Sequence, residues 1–113
     1  MALTAPYHDR DGFIWFDGKL VPWREANIHV LTHGLHYASA VFEGERLYSG
    51  EIFKLREHLE RLRRSAVALD FAVIPSDEAL TREITRTLEA NGMLDGVHVR
   101  LTLTRGEKLT SGM

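Results

Sequence analysis

The sequence predicts an α+β fold, an antiparallel sheet with two helices packed on one side. Three observations carry this. Phe13-Ile14-Trp15-Phe16 and Lys19-Leu20-Val21 flank Asp17-Gly18, the signature of a tight β-hairpin. Val97 to Thr104 alternates apolar and polar residues with the period of a strand. Between them lie two stretches of helical periodicity, so the order is strands, helix, helix, strand.

Each element has its own warrant. Gly18 accepts the positive φ that a tight turn needs, and Pro22 should close the second strand. Ala40 to Tyr48 reads as a longer strand, turned at Ser49-Gly50 and returned by Glu51-Ile52-Phe53-Lys54. Its two faces are mixed. Phe42, Gly44, Arg46 and Tyr48 share one, and Val41, Glu43, Glu45 and Leu47 the other.

Leu55 to Asp70 predicts an amphipathic helix, with Leu55, Leu59, Leu62, Ala66 and Leu69 as its apolar stripe. Glu57 with Arg61, and Glu60 with Arg64, are favourable pairs one turn apart. His58 lies about 60° and Arg61 about 120° from the stripe. A second helix is expected from Asp77 to Ala90, capped by Ser76, buried through Leu80, Ile84 and Leu88, and stopped by Asn91-Gly92. In the final strand Val97, Val99, Leu101 and Leu103 should cover the helices. His98, Arg100, Thr102 and Thr104 occupy the other face, as on any half-solvated sheet.

Bulk properties narrow the function. A chain of 113 residues suits one domain, and a hydrophobic content of 44% with 27% charged residues is ordinary for a soluble globular protein. The formal net charge of -2 gives no long-range pull on a phosphate backbone, so nucleic acid is not an expected partner. With no cysteine there is neither a disulfide nor a thiolate metal site. No window suggests a signal peptide or a membrane span, and the expected location is cytoplasmic.

Three local constellations invite chemistry. His29, His33 and His36 have a spacing that suits metal ligands on a helix, but Gly34 interrupts the segment and its β-branched residues oppose a helix; no metal site is expected. Glu43 and Glu45 neighbour each other on one strand face, where one carboxylate can raise the pKa of the other; the preferred reading is two solvated glutamates at a sheet edge. Arg46, Arg61, Arg100 and Arg105 offer guanidinium groups for carboxylate or phosphate, with Glu57 as a sufficient structural partner for Arg61.

Longer motifs are more specific. Ile14-Trp15-Phe16-Asp17-Gly18, Val30-Leu31-Thr32-His33-Gly34-Leu35-His36-Tyr37, Val41-Phe42-Glu43-Gly44 with Arg46 and Tyr48, and Arg56-Glu57-His58-Leu59-Glu60-Arg61-Leu62 occur in this order. From Phe13 to Arg105 the chain resembles the small N-terminal domain of the class IV (fold-type IV) pyridoxal-phosphate-dependent aminotransferases, and among them the branched-chain amino acid aminotransferases.

The resemblance implies roles. Arg61 matches the arginine that holds the cofactor phosphate. Tyr37, Phe42, Gly44, Arg46, His98 and Arg100 match positions that line the substrate pocket. It further implies pyridoxal 5'-phosphate as cofactor, amino acid and 2-oxo acid substrates, 2-oxoglutarate as amino acceptor, and a homodimer. The lysine that forms a Schiff base with the cofactor belongs to a second domain in this family. Lys19, Lys54 and Lys108 do not match it, so no catalytic residue is expected here and the segment alone should not transaminate. Residues 1–12 are then a tail, 13–105 the small domain, and 106–113 the start of a linker to the cofactor-binding domain.

Some positions depart from the branched-chain pattern. His98 replaces a tyrosine, Glu45 an apolar residue, and Ala38-Ser39-Ala40 a glycine-rich stretch. Thr104-Arg105-Gly106 looks more like the D-amino acid transaminase and aminodeoxychorismate lyase branches. Those two chemistries, and a non-catalytic binding or dimerisation module, therefore stand as alternatives.

Overall fold

A computed structural model of the chain describes residues 6–105. The linker expected at 106–113 lies outside the described residues. The chain divides into two units. Of the described residues, one comprises 6–27 and 78–93, and the other 28–77 and 94–105.

In the first unit, β1 (Phe13–Phe16) and β2 (Lys19–Pro22) pair antiparallel, with Ile14 opposite Val21 and Phe16 opposite Lys19. Asp17 and Gly18 both take positive φ, 49° and 93°, as the Asp-Gly signature predicts. A single 3-10 turn, Trp23–Glu25, follows Pro22. Residues 7–12, expected as a tail, are tied to this turn. Arg24 pairs with Asp9 and Asp11, and Trp23 Nε1 donates to the Tyr7 carbonyl.

The hairpin shares its unit with nearly all of the long helix Asp77–Ala90, whose Leu80 and Ile84 are buried. Beyond the helix end, the Asn91 side chain grips the hairpin. Its Oδ1 accepts from the Phe13 amide at 2.8 Å, and its Nδ2 donates to the Phe13 carbonyl at 2.9 Å and the Thr87 carbonyl at 2.8 Å. Gly92 has φ 63°, and the amides of Gly92 and Met93 turn back to the carbonyls of Glu89 and Leu88. This is the Schellman closure that the Asn-Gly stop predicts.

In the second unit, β3 (Ala40–Tyr48) is central. It pairs antiparallel with β4 (Glu51–Ile52) on one side and β5 (Val97–Thr104) on the other. A short helix α1 (His33–Tyr37) precedes β3, and a long helix α2 (Leu55–Ala68) follows β4. The helix Asp77–Ala90 is α3. The expected α+β class holds, with two antiparallel sheets where one was expected. Helix α2 packs on β3, and Leu47, Leu59, Leu62 and Ala66 form the buried core of this unit.

Helix α1 departs from the sequence reading, which placed no helix there. Its C-terminal end helps to explain it. Ala38, in the left-handed region at φ 56°, donates its amide to the Gly34 carbonyl. At the other end the Thr32 side chain makes no cap; its Oγ1 and its amide both donate upstream to the His29 carbonyl, which closes the preceding turn. One turn closed by a left-handed residue needs little intrinsic propensity.

Candidate functional site

The register of β3 against β5 decides which side chains meet. Gly44 lies opposite Arg100, Arg46 opposite His98, and Phe42 opposite Thr102. Because side chains alternate along a strand, Phe42, Gly44, Arg46 and Tyr48 join His98, Arg100, Thr102 and Thr104 on one face. That face is exposed throughout, with Phe42 at 56% and Tyr48 at 53%. Helix α2 covers the other.

On the open face the Arg100 guanidinium carbon sits 4.0 Å from the centroid of the Phe42 ring. This stacking fixes the cation against an apolar wall. The His98 imidazole lies over Gly44, where an added Cβ would meet Nε2 at 3.1 Å. Among the described residues no carboxylate pairs with Arg46, His98 or Arg100. Helix α1 approaches the Thr104 end of the face. A Cβ at Gly34 would come within 2.8 Å of Thr104 Oγ1. Tyr37, from the same helix, stacks at 4.6 Å on the His33 ring and at 6.4 Å on that of His36. Arg105 is directed elsewhere, to the Leu69 carbonyl and the Phe71 ring near the end of α2.

The covered face corrects the reading of Glu43 and Glu45 as solvated edge residues. Both are buried, at 3% and 1% exposure. The cause is tertiary, since α2 brings His58 and Arg61 over β3. His58 Nδ1 donates to Glu43 Oε1 at 2.7 Å, and Arg61 clamps the same carboxylate through Nε to Oε2 and Nη2 to Oε1, each at 2.8 Å. Arg61 therefore pairs with Glu43 and not, as its spacing suggested, with Glu57. On this helix the i,i+4 ion pair formed is Arg56 with Glu60.

The Arg61 hydrogen bonds hold the Glu43 carboxyl below the usual carboxylate range, against the burial that pushes it up; the His58 bond works with Arg61. Glu45 is the converse case. Among the described residues neither carboxyl oxygen has a hydrogen-bond partner, and burial pushes its pKa up to about 6. The nearby His58 opposes that rise and the charge of Glu43 adds to it.

Each histidine of the sequence triplet has its own local bond. His29 Nδ1 accepts from the Leu31 amide, His36 Nε2 donates to the Val30 carbonyl, and His33 Nδ1 bonds to Ser39 Oγ.

Residues 40–111 match the family described as Amino-transferase class IV. The chain belongs to the class IV aminotransferase family. Among curated relatives of this aminotransferase segment is branched-chain-amino-acid aminotransferase-like protein 2 of Arabidopsis thaliana. It is 46% identical over 99 residues, covering 88% of this chain and 18% of that protein. The branched-chain-amino-acid aminotransferase of Pseudomonas aeruginosa is 44% identical over 96 residues, covering 81% of this chain and 31% of the relative. Among solved structures, the branched-chain aminotransferase of Thermoproteus uzoniensis with norvaline superposes with a TM-score of 0.80 at 34% identity, covering 90% of this chain and 36% of that one. The branched-chain amino acid aminotransferase of Escherichia coli gives 0.79 at 34% identity, covering 86% and 33%. Another solved branched-chain amino acid aminotransferase is complexed with N-(5'-phosphopyridoxyl)-L-glutamate and also gives 0.79, at 36% identity. The class IV segment thus spans about a fifth to a third of these relatives' length.

Proposed function

We propose that this chain supplies the small domain of a pyridoxal-phosphate-dependent transaminase that moves an amino group between a branched-chain amino acid and 2-oxoglutarate. The observation that carries this is the open face of β3 and β5. Two arginines and an imidazole stand there with no carboxylate partner among the described residues, next to an exposed aromatic ring. Such a face suits a molecule with a carboxylate at one end and an apolar side chain at the other.

The roles follow from the chemistry of each group. Arg100, held on the Phe42 ring, and Arg46 bind substrate carboxylates; two guanidinium groups also admit a dicarboxylate acceptor. Phe42 offers the apolar wall, Gly44 leaves room, and Tyr37 borders the pocket. His98 adds a donor where the resemblance expects a tyrosine. Arg61 fits a cofactor phosphate, because its side chain is 61% exposed and Glu43 occupies only its Nε and one Nη2 hydrogen. Pyridoxal phosphate, when bound, supplies an electron sink that makes the α-proton removable. The lysine that moves this proton belongs to the further domain that the relatives' length implies, and the segment by itself is inactive. We place the working unit in a cytoplasmic homodimer.

A second reading rests on Thr104-Arg105-Gly106, which resembles other class IV branches, with His98 as a further departure from the branched-chain pattern. It suggests the D-amino acid transaminase or aminodeoxychorismate lyase branches. The test is a donor panel on the full-length polypeptide that carries this chain, with 2-oxoglutarate as acceptor and glutamate formation as the readout. L-leucine, L-isoleucine and L-valine should be the preferred donors. Activity confined to D-amino acids, or pyruvate release from aminodeoxychorismate, would establish the second reading. A reading frame that ends at Met113 with no cofactor binding would leave only a binding module.

A further inference from the structure

The Glu43 carboxylate is an unusual use of a β-strand. It is 3% exposed, and all three of its assigned donors come from one helix. A buried carboxylate held this way is expensive unless each oxygen is satisfied, and here each is. The two Arg61 bonds run side by side, from Nε to Oε2 and from Nη2 to Oε1. A fork of this kind fixes the plane of a guanidinium as well as its position. Of its five N–H groups, two point to Glu43, leaving both hydrogens of Nη1 and one of Nη2. Arg61 is otherwise largely exposed, so an unpinned side chain there would sample many rotamers, and binding an anion would cost that freedom. His58 Nδ1 closes the set by holding Glu43 Oε1 from the helical turn before Arg61. Glu45, on the same strand face, has no bond to either.

We propose that Glu43 and His58 are positioning residues for anion recognition. Glu43 pins one edge of the Arg61 guanidinium, His58 pins Glu43, and the outward edge is thereby presented ready-made to a phosphate monoester dianion. This rests on the assignment of Arg61 to the cofactor phosphate. It adds that the acidic residue beneath the arginine raises affinity for an anion, the reverse of what its charge alone would do. Pinning gains more than charge loses because the carboxylate lies behind the guanidinium, where the burial that strengthens the clamp also keeps it from facing the ligand.

The test uses the full-length polypeptide and two ligands that differ only in the phosphate, pyridoxal 5'-phosphate and pyridoxal. Dissociation constants are measured by absorbance and fluorescence titration for the wild type, Arg61→Ala, Glu43→Gln, His58→Leu and His58→Asn. Arg61→Ala should abolish the preference for the phosphorylated ligand. Glu43→Gln should weaken pyridoxal phosphate about tenfold, the scale of one charge-assisted contact, and leave pyridoxal within about twofold. His58→Leu should reproduce part of that loss. His58→Asn should restore it, since the amide nitrogen can donate where Nδ1 does. Glu43→Gln with wild-type preference, or with both ligands weakened equally, overturns the proposal while leaving the Arg61 assignment intact. Should Glu43→Gln fail to fold, the histidine pair decides, and equal preferences in His58→Leu and His58→Asn overturn it. An Arg61→Ala protein that still prefers the phosphorylated ligand removes the assignment itself, and the proposal with it.

Discussion

The His98 imidazole occupies the space a side chain at Gly44 would need, with Nε2 3.1 Å from a Cβ built there. The two residues are diagonal neighbours across β3 and β5, since His98 faces Arg46 and Gly44 faces Arg100. Gly44 carries no positive φ, so the glycine serves space and not backbone conformation.

Gly44→Ala should therefore act through His98. In the full-length polypeptide it should raise KM for the amino donor by pushing the ring off the open face, with little change in melting temperature. In a His98→Ala background the same substitution should be nearly silent. The double-mutant cycle on kcat/KM should give a coupling of about 1 kcal/mol, the usual scale for touching side chains. Strict additivity would mean that the ring and the missing Cβ do not compete.

Glu45 should give the stability profile an acid-side bias. Its folded pKa of about 6 lies above its ordinary value of 4.5, so the native state holds the proton more tightly than the unfolded one. Stability from this group is thus complete below about 4.5, falls as pH rises towards 6, and stays lower beyond, by about 2 kcal/mol in all. Glu43 runs the other way. Its lowered pKa contributes stability above its ordinary value of 4.5 that is lost as pH falls below it. Glu45→Gln should flatten the decline between pH 4.5 and 6 in melting scans. An unchanged decline in that variant would place its origin elsewhere.

Asn91→Ala should loosen the hairpin. Three hydrogen bonds are lost, two of them to the backbone of Phe13. A cost of about 1–3 kcal/mol is expected, with faster amide exchange at Phe13 as the local readout. Asn91→Asp keeps the acceptor for the Phe13 amide but not the two donors, and should fall between.

Asp70 closes α2 in the left-handed region at φ 63°, with the Phe71 amide returning to the Ala66 carbonyl. Glycine is the natural residue there. Asp70→Gly should stabilise by about 0.5–1 kcal/mol, after allowing for the greater freedom of glycine in the unfolded chain. A lower melting temperature would show that the carboxylate has a use of its own.

What could be read from sequence depended on whether the signal was local. The alternation of Val97 to Thr104, the leucine stripe of α2 and the Asp17-Gly18 turn each need only neighbours in the chain, and each element formed where expected. The open face was legible for the same reason, because parity alone groups Phe42, Gly44 and Arg46. Glu43 and Glu45 were not, since two charges on a strand read as solvated until α2 is laid over them. A signal was nonetheless present. His58 and Arg61 lie one turn apart on the same side of the apolar stripe, so a helix burying Leu59 and Leu62 can bring both side chains to the strand beneath. Helix α1 was missed because it is a single turn closed by Ala38 in the left-handed region, a conformation that an alanine does not announce.

The grip of Asn91 on Phe13 spans 78 positions of chain. During synthesis the hairpin emerges first, and a two-stranded hairpin is only marginally stable alone. It must wait for α3, while the second unit can already begin to form from residues 28–77. The entropy of closing so long a loop grows only slowly with its length, so the delay lies in order of emergence more than in energy. The earliest part of this chain to be made should thus be among the last to become protected, and chains arrested before Asn91 should expose Phe13 and Trp15 to proteases and chaperones.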